Sequence, residues 1–319
     1  MMKPPAEWPP DDPRRTPVTL RREYIASGYT DRALARLVDQ GTLAKARRGA
    51  YVAGDAWRRL DEVGRHAVRA RAVLLQADAA AALSHTSGLI EYDVPTWGLS
   101  LDEVHLTRLD QRAGRSEAGV RQHRGVVRSG DIQSRNGVLV VSPTRLALEA
   151  TTLAGTEVGL GVVNHLLHHG HTTEAQLAER YDQMLMWPST LTTDLVLRLA
   201  DARVETLGES RCVHLFFSHR LPPPEPQYKI RDRSGRVIAR LDFAWPELGV
   251  FVEFDGKVKY EKLLRPGERA SDVVIREKQR EEQICRLTGW RCIRLTWWDL
   301  EHPERTAAML REYLRPTAA

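Results

Sequence analysis

Three carboxylates and a lysine stand close together in a segment whose other residues are typical of buried strands. Asp242 lies near the end of one apolar run, and Glu253, Asp255 and Lys257 belong to the next run, GVFVEFDGK. Side chains alternate across a strand, so Glu253 and Asp255 face the same side, and a neighbouring strand can bring Asp242 beside them. Charged groups are costly to bury without a partner. We therefore expect these residues to share one site.

Carboxylates in one site repel one another unless a cation compensates, and clustered oxygen ligands suit Mg²⁺ or Mn²⁺. The predicted metal ligands are Asp242, Glu253 and Asp255. Lys257 follows on the same face and would neutralise developing negative charge or orient a water molecule. Glu209, in a preceding helix, completes the predicted catalytic set. The pattern predicts metal-assisted phosphodiester hydrolysis; the alternative is a binding module whose acids are merely solvated at a sheet edge.

The elements that would position these residues follow from the apolar patterns around them. ETLGESRCVHLFFSHRL predicts a helix that ends before PPPEP. QYKIRDRSGRVIARLDFAW predicts a hairpin that turns at Ser234 and Gly235, and GVFVEFDG predicts a further strand.

This order resembles the PD-(D/E)XK nuclease superfamily, and within it the Vsr-like domains related to very-short-patch-repair endonucleases. The family has a helix with Glu, a strand ending in Asp, and a strand with paired acids before Gly; the chain has Glu209, Asp242 and VEFDGK. The resemblance implies a restriction-endonuclease-like α/β domain in which Asp242 and Glu253 or Asp255 hold the metal and Lys257 takes the role of the family lysine. REKQREEQICRLTGWRCIRLTWWDL is similar to the closing helix and strand of the family. It implies a helix from about Ser271 to Leu287 that Gly289 ends, after which WRCIRLTWWDL returns to the sheet. Two positions depart from the pattern. Asp255 stands where the simplest pattern has Lys, and the His that often follows Asp-Gly is absent.

Composition limits the class of protein. The chain has 319 residues, 42% apolar and 28% charged, with a net charge of +5 and a pI of about 9.2. This balance permits nucleic acid as a partner without requiring it. The chain has three cysteines, Cys212, Cys285 and Cys292, and none of them forms a C-x-x-C pair. An odd number without such a pair favours a reduced compartment and argues against a zinc site built from cysteines. There is no apolar signal core and no run of about 18 apolar residues, so we expect a cytoplasmic protein without a membrane partner.

The segment after a proline-rich start has the pattern of a small DNA-binding domain. A short helix over Leu20–Ala26, a helix capped by Thr30, and a hairpin that turns at Gly49 form the plan of a winged helix-turn-helix. The second helix would enter the major groove, and the hairpin would contact phosphates. The predicted DNA-binding residues are Arg32, Arg36, Lys45, Arg47 and Arg48. The alternative is a small helical scaffold with a solvated basic face.

The same segment carries a second resemblance. SGYTDRALARLVDQGTLAKARRGAY is similar to the N-terminal domain of AbiEi-type antitoxins of type IV toxin–antitoxin systems. ALSHTSGL, EVHLT, GVRQHRG and GVLVVSPTRLALEAT are similar to successive blocks of the long actinobacterial members, over roughly residues 18–190. The resemblance implies an autorepressor that binds double-stranded DNA, and it admits a cognate nucleotidyltransferase-type toxin as a partner. Three functions therefore compete: an autorepressor with a nuclease-fold tail, a metal-dependent endonuclease targeted by its N-terminal region, and a module that neutralises a toxin.

The predicted fold class is a multidomain α/β protein with four parts. These are a disordered leader over 1–17, the winged helix-turn-helix over 18–60, a mixed α/β middle domain over 61–205 and the nuclease-like domain over 206–319. In the middle part, Val68–Ala82 is predicted as an Ala-rich helix, EVHLT and GVLVVS as strands, and Ser142 with Pro143 as a helix start. NHLLHHGH places histidines at i, i+3 and i+4, which suits a metal or, more simply, a helix C-terminus.

Overall fold

The chain divides into two compact units, Met1–Leu197 and Arg198–Ala319. The computed structural model describes residues 7–77, 79–110, 116–117, 119–184, 187, 190–256 and 270–315. Both units combine helices with strands, and the strands form three sheets in the described part of the chain. The mixed α/β, multidomain class predicted from the sequence is therefore confirmed.

The first unit opens with two helices and a small antiparallel sheet of strand order β1-β3-β2. Its first elements are a 3-10 turn (Pro13–Arg15), β1 (Thr19–Leu20), α1 (Arg21–Ala26), α2 (Asp31–Asp39), β2 (Leu43–Arg47) and β3 (Ala50–Ala53). Thr30 caps α2, because its Oγ1 accepts a hydrogen bond from the Ala33 amide at 3.2 Å. Gly49 turns the hairpin with a φ of 77°, a conformation that favours glycine. The helices and hairpin predicted for this segment are confirmed.

The residues that lead into this sheet are packed against the first unit. Trp8 is 3% exposed and lies in one apolar cluster with Ala67 and Ile90. Its amide donates to Asn136 Oδ1 at 2.9 Å, and its indole N–H donates to Asp93 Oδ1 at 3.0 Å. A buried tryptophan whose amide and indole N–H groups both donate hydrogen bonds offsets the entropy lost on ordering the chain. The disordered leader predicted over 1–17 is therefore wrong for the part that the structure describes.

A six-stranded sheet forms the body of the first unit. Its strands are β4 (Ala81–Leu83), β5 (Val104–Arg108), β6 (Ser116–Glu117), β7 (Val120–His123), β8 (Ile132–Arg135) and β9 (Val138–Val141). They lie in the order β6-β7-β5-β4-β9-β8, and β5 is parallel to β7 as β4 is to β9. The helices are α3 (Gly54–Arg59), α4 (Glu62–Gln76), α5 (His85–Ile90), α6 (Pro143–Leu153), α7 (Thr156–His168), α8 (Glu174–Asp182) and α9 (Thr190–Leu199).

The Ala-rich helix predicted over Val68–Ala82 is displaced in the structure. α4 begins earlier because Asp61 caps it, its Oδ1 accepting a hydrogen bond from the Gly64 amide at 2.7 Å. The helix ends at Gln76, and Ala81–Leu83 pairs with β5 instead. Helix propensity is a weak local preference that strand pairing overrides here. The prediction was therefore wrong at both ends of this helix.

The second unit is built on a four-stranded sheet. Its elements are α10 (Leu207–Ser218), β10 (Glu225–Arg231), β11 (Val237–Trp245), a 3-10 turn (Pro246–Leu248), β12 (Val250–Asp255), α11 (Ala270–Thr288), β13 (Arg291–Thr296), α12 (Trp297–Glu301) and α13 (Pro303–Tyr313). The strand order is β10-β11-β12-β13, antiparallel except that β12 and β13 are parallel. The predicted elements are present, but the last strand ends at Thr296, where α12 begins. No helix in the described part of the chain is long and apolar enough to cross a membrane.

Apolar side chains cover both faces of this sheet. On one face Val252 lies in a core with Phe216 of α10. On the other face Phe251 lies in a core with Ile284 of α11. Full burial of one such side chain contributes about 1.5–3 kcal/mol. The two cores thus fix the sheet, and with it the positions of the acidic residues on its strands.

Candidate functional site

Asp242 and Glu253 occupy facing positions of two adjacent strands. β11 and β12 pair antiparallel with Phe243 opposite Val252, and the same register places Asp242 opposite Glu253. Asp242 Oδ2 accepts a hydrogen bond from the Phe254 amide at 2.8 Å, which fixes this carboxylate against β12. Both acids are half-buried. Two of the predicted metal ligands therefore lie on neighbouring strands, one position beyond the Phe243–Val252 pair.

Strand β11 is irregular at Asp242. Leu241 packs in the core that contains Phe251, whereas Phe243 packs in the opposite core with Val252. In a regular strand, residues two apart lie on the same face, so the alternation of β11 changes at Asp242.

Gln227 lies opposite Asp242 on the neighbouring strand β10, and its backbone is strained. Its neighbours in the strand pair with Phe243 and Leu241, so Gln227 stands opposite Asp242. Its φ is 53°, a left-handed conformation that residues other than glycine adopt rarely. Such strain persists only where surrounding contacts impose it, and it clusters at functional sites.

Gln227 is held by a hydrogen bond to Glu209. It is 2% exposed and accepts hydrogen bonds from Gln227 Nε2 at 2.9 Å, from Thr206 Oγ1 at 2.8 Å and from the Glu205 amide at 3.0 Å. Thr206 in turn caps α10, so Glu209 also stabilises the start of this helix. Burial, followed by the charges of Asp242 and Glu209, raises the pKa of the Cys212 thiol well above its usual value. The carboxylates of Asp242 and Glu209 therefore both lie near the Cys212 thiol.

Arginine side chains hold the other acids at this edge of the sheet. Arg280 of α11 donates to Glu253 Oε1 at 3.2 Å. Arg294 of β13 lies 3.5 Å from Asp255 Oδ2 and also binds Glu281. These pairs are partly exposed, so each contributes little to stability. A cation that competes for the carboxylates would displace the guanidinium groups at small cost.

The predicted meeting of three carboxylates at one point is not present in the structure. The ligand oxygens of Asp242, Glu253 and Asp255, which all belong to the described residues, do not lie within 4.8 Å of one another as a set of three. The reason is that Asp242 binds the Phe254 amide, while Glu253 and Asp255 are held by two different arginines. Lys257 lies outside the described residues.

The predicted DNA-binding residues lie on α2 and on the β2–β3 hairpin. Arg32 and Arg36 are exposed on α2, one turn apart and therefore on one side of the helix. On the hairpin, Lys45 and Arg48 are exposed and Arg47 is half-buried. The helix and the hairpin thus both present exposed basic side chains.

A histidine cluster that the sequence patterns did not predict lies in the first unit. His85 follows β4, His105 lies in β5 and His123 ends β7, and these three strands are neighbours in the sheet. One ligand nitrogen of each ring lies within 4.8 Å of the other two, and no other three His, Cys, Asp or Glu residues in the described part of the chain meet this limit. His105 Nδ1 and His123 Nε2 are 2.9 Å apart, and the rings of His85 and His123 stack at 3.7 Å.

The sequence signal for this cluster is weak. Each histidine stands in a separate block, ALSHTSGL, EVHLT or GVRQHRG, and the numbers 85, 105 and 123 match no short metal-binding spacing. The cluster forms because β4 pairs with β5 and β5 with β7. By contrast, the closely spaced His165 and His169 stack on each other at 4.1 Å at the end of α7.

Comparison with known proteins finds a distant similarity over most of the chain. The chain is 25% identical over 278 residues to an uncharacterized protein of Mycobacterium tuberculosis strain CDC 1551 / Oshkosh, and equally to one of strain ATCC 25618 / H37Rv. Each match covers 87% of this chain and 94% of the relative, so it extends over parts of both compact units. No protein-family model matches the chain.

Proposed function

We propose that this chain is a DNA-binding protein whose second unit hydrolyses phosphodiesters with a divalent metal ion. The observation that carries the proposal is the position of Asp242 opposite Glu253, one residue beyond the Phe243–Val252 pair of β11 and β12. The element order supports it as well: a helix with Glu209, three strands, a helix, and a strand parallel to the third. This is the order of the PD-(D/E)XK nucleases that the sequence resembles, so we assign a restriction-endonuclease-like fold to this unit.

Two carboxylates are enough to hold the expected cation. Mg²⁺ is usually bound through one or two protein carboxylates, while waters and substrate phosphates complete its octahedral shell. Asp242 and Glu253 fit that requirement, and Asp255 can remain paired with Arg294. When bound, Mg²⁺ or Mn²⁺ would lower the pKa of a coordinated water and offset the charge that builds at phosphorus.

The protein groups around the pair have separable roles. The Phe254 amide orients Asp242 before any ligand arrives. Glu253 would exchange Arg280 for the cation, and the released guanidinium could then contact an anionic phosphate. Gln227 is a positioning residue, because it ties β10 to Glu209 beside Asp242. Lys257 would stabilise developing negative charge, as the sequence pattern predicts.

The first unit would supply DNA affinity through a winged helix-turn-helix. The order β1, α1, α2, β2, β3 with a β1-β3-β2 sheet supports this assignment. Between Arg14 and Arg59 there are 11 Lys or Arg and 4 Asp or Glu, an excess of 11 − 4 = 7 basic residues. Such an excess favours sequence-independent contact with phosphates. Arg32 and Arg36 on α2 would add contacts to base edges.

A catalytically inactive autorepressor is the second candidate function. The ion pairs of Arg280 with Glu253 and of Arg294 with Asp255 favour it, because they compensate the acids without a metal. The nuclease fold would then serve only for binding. A nucleotidyltransferase-type toxin would be the protein partner, as the AbiEi resemblance implies. Either function would be carried out in the cytoplasm.

Plasmid nicking separates the two candidates. Wild type in Mg²⁺ or Mn²⁺ is compared with Asp242→Asn and Glu253→Gln, and the exposed Glu225→Gln at the start of β10 is the control with the same loss of charge. A metal-dependent nuclease predicts nicking by wild type and control, with a loss of roughly 100-fold or more in both site variants. Binding without cleavage of duplex, single-stranded or mismatched DNA would support the autorepressor.

A further inference from the structure

The histidine cluster of the first unit has no part in the proposed nuclease site. We propose that His85, His105 and His123 bind one divalent transition metal ion, with Zn²⁺ the first choice, and leave one coordination position open. Three imidazoles are a donor set of zinc sites that keep a water or substrate in the fourth position. The inference concerns residues of the first unit alone, so it does not depend on the proposed nuclease activity.

The ring nitrogens already lie near the separations of a loaded site. His105 Nδ1 and His123 Nε2 are 2.9 Å apart, and all three ligand atoms lie within 4.8 Å of one another. Two nitrogens bound tetrahedrally, with Zn–N distances of about 2.0–2.1 Å, are about 3.3 Å apart. Small rotations of the rings would therefore exchange the contact between His105 and His123 for two metal bonds.

Buried polar groups orient His85. Glu149 Oε2 accepts a hydrogen bond from the His85 amide at 3.0 Å and lies 3.3 Å from His85 Nδ1. Glu149 is fully buried, and Arg145 offsets its charge through a contact of 2.8 Å to Oε1. A carboxylate beside one ring nitrogen fixes the tautomer and makes the other nitrogen a better metal ligand. His85 would accordingly bind through Nε2.

A cavity of about 720 Å³ adjoins the cluster and provides an open side. His85 and His123 line it together with Arg124 and Trp187. Structural zinc sites are closed by four protein ligands, whereas a site with three ligands beside a cavity keeps room for a water molecule. His85 is also held in a left-handed backbone conformation with a φ of 49°, a strain typical of functional positions.

Metal binding by the full-length protein tests the proposal. The chain is stripped with a chelator, titrated with Zn²⁺, and its bound zinc is measured after desalting. We expect wild type to retain one ion per chain that His105→Gln and His123→Gln do not retain. The affinity should fall by more than about 100-fold in His105→Gln and His123→Gln, because changes in the surrounding groups alone cost 10–100-fold. His169→Gln, an exposed histidine at the end of α7, is the matched control that should keep the ion.

Two further variants keep the test independent of misfolding and of the second unit. Glu149→Gln retains all three ligands and should weaken zinc binding by about 10–100-fold without abolishing it. Glu225→Gln, an exposed residue of the second unit outside both proposed metal sites, should bind zinc as wild type does. The proposal is overturned if the wild-type chain takes up no stoichiometric zinc. It is equally overturned if His105→Gln and His123→Gln bind zinc as tightly as the control.

Discussion

Gln227 donates a hydrogen bond of 2.9 Å to the buried Glu209 from a backbone whose φ is 53°. The bond joins the edge strand β10 to the first turn of α10, directly across from Asp242. A left-handed residue other than glycine costs on the order of 1–3 kcal/mol. A hydrogen bond to a charged acceptor contributes about 1.5–3 kcal/mol, which is enough to offset that strain.

Substitutions at Gln227 should separate the effect of its hydrogen bond on stability from the effect of its backbone strain. Gln227→Ala loses the bond and keeps the strain, so it should lower the free energy of unfolding by about 1.5–3 kcal/mol. Gln227→Gly loses the same bond but relieves the strain, so it should be less destabilising despite the flexibility of glycine. Denaturant unfolding followed by tryptophan fluorescence measures the difference. A glycine variant clearly less stable than the alanine variant would show that the backbone at this position is not strained.

The β2–β3 hairpin should bind DNA phosphates. Charge reversal in an Arg47→Glu, Arg48→Glu double variant should weaken binding to all duplex sequences. It should also flatten the dependence of log K on log salt by about 0.9 for each phosphate that the hairpin no longer neutralises. The charge-conserving Arg47→Lys, Arg48→Lys variant is the control and should keep the slope. If charge reversal leaves affinity and slope unchanged in a salt titration, the hairpin does not bind DNA.

Any sequence preference should depend on α2. Arg32→Ala should reduce affinity for a preferred site more than affinity for random DNA, because a bidentate pair with guanine is worth about 1–3 kcal/mol of discrimination. Competition binding against both DNAs measures this ratio. Equal losses on the two DNAs would indicate that Arg32 contacts only phosphate.

His66 should make the first unit sensitive to acid. It is 0% exposed between the Leu101 carbonyl and Ser87 Oγ. Burial, with smaller effects of Arg69 and His105, lowers the pKa of His66 from 6.5 to about 4. The unfolded chain then binds this proton below about pH 6.5 and the folded chain only below about pH 4. Stability therefore falls as the pH drops through that window.

At about 1.4 kcal/mol per pH unit, the His66 contribution is on the order of 3 kcal/mol. His66→Gln should be less stable than wild type near neutral pH, but it should lose less stability between pH 6.5 and pH 4. Urea unfolding at both pH values measures the two losses. Because other histidines titrate in both proteins, only the difference between the losses is informative. Identical losses would contradict the assignment.

Local patterns in the sequence were enough to predict most elements of the second unit. The nuclease resemblance, with Gly289 as the helix end, predicted a helix from about Ser271 to Leu287, and the helix spans Ala270–Thr288. Strand alternation predicted that Phe251 and Val252 face opposite sides, and the two residues lie in opposite cores. These features depend on residues within a few positions of one another, so they are visible in the sequence.

Features that depend on distant partners were not predictable. Trp8 is ordered by a hydrogen bond to Asn136, which no local pattern indicates. The histidine cluster needs three strands to pair in one order. The partition of the acids among the Phe254 amide, Arg280 and Arg294 likewise follows from tertiary contacts. Strand alternation alone placed all three acids at one point, because it carries no information about competing partners.

Asp242 and Glu253 together should hold one divalent cation. A Mn²⁺ titration in which electron paramagnetic resonance counts the free ion measures this binding, with His123→Gln as the parent protein so that the histidine cluster does not contribute. We predict one bound Mn²⁺ per chain in the parent, retention with Glu225→Gln, and loss with Asp242→Asn or Glu253→Gln. Equal Mn²⁺ binding by the parent and by Asp242→Asn would show that Asp242 does not hold the cation.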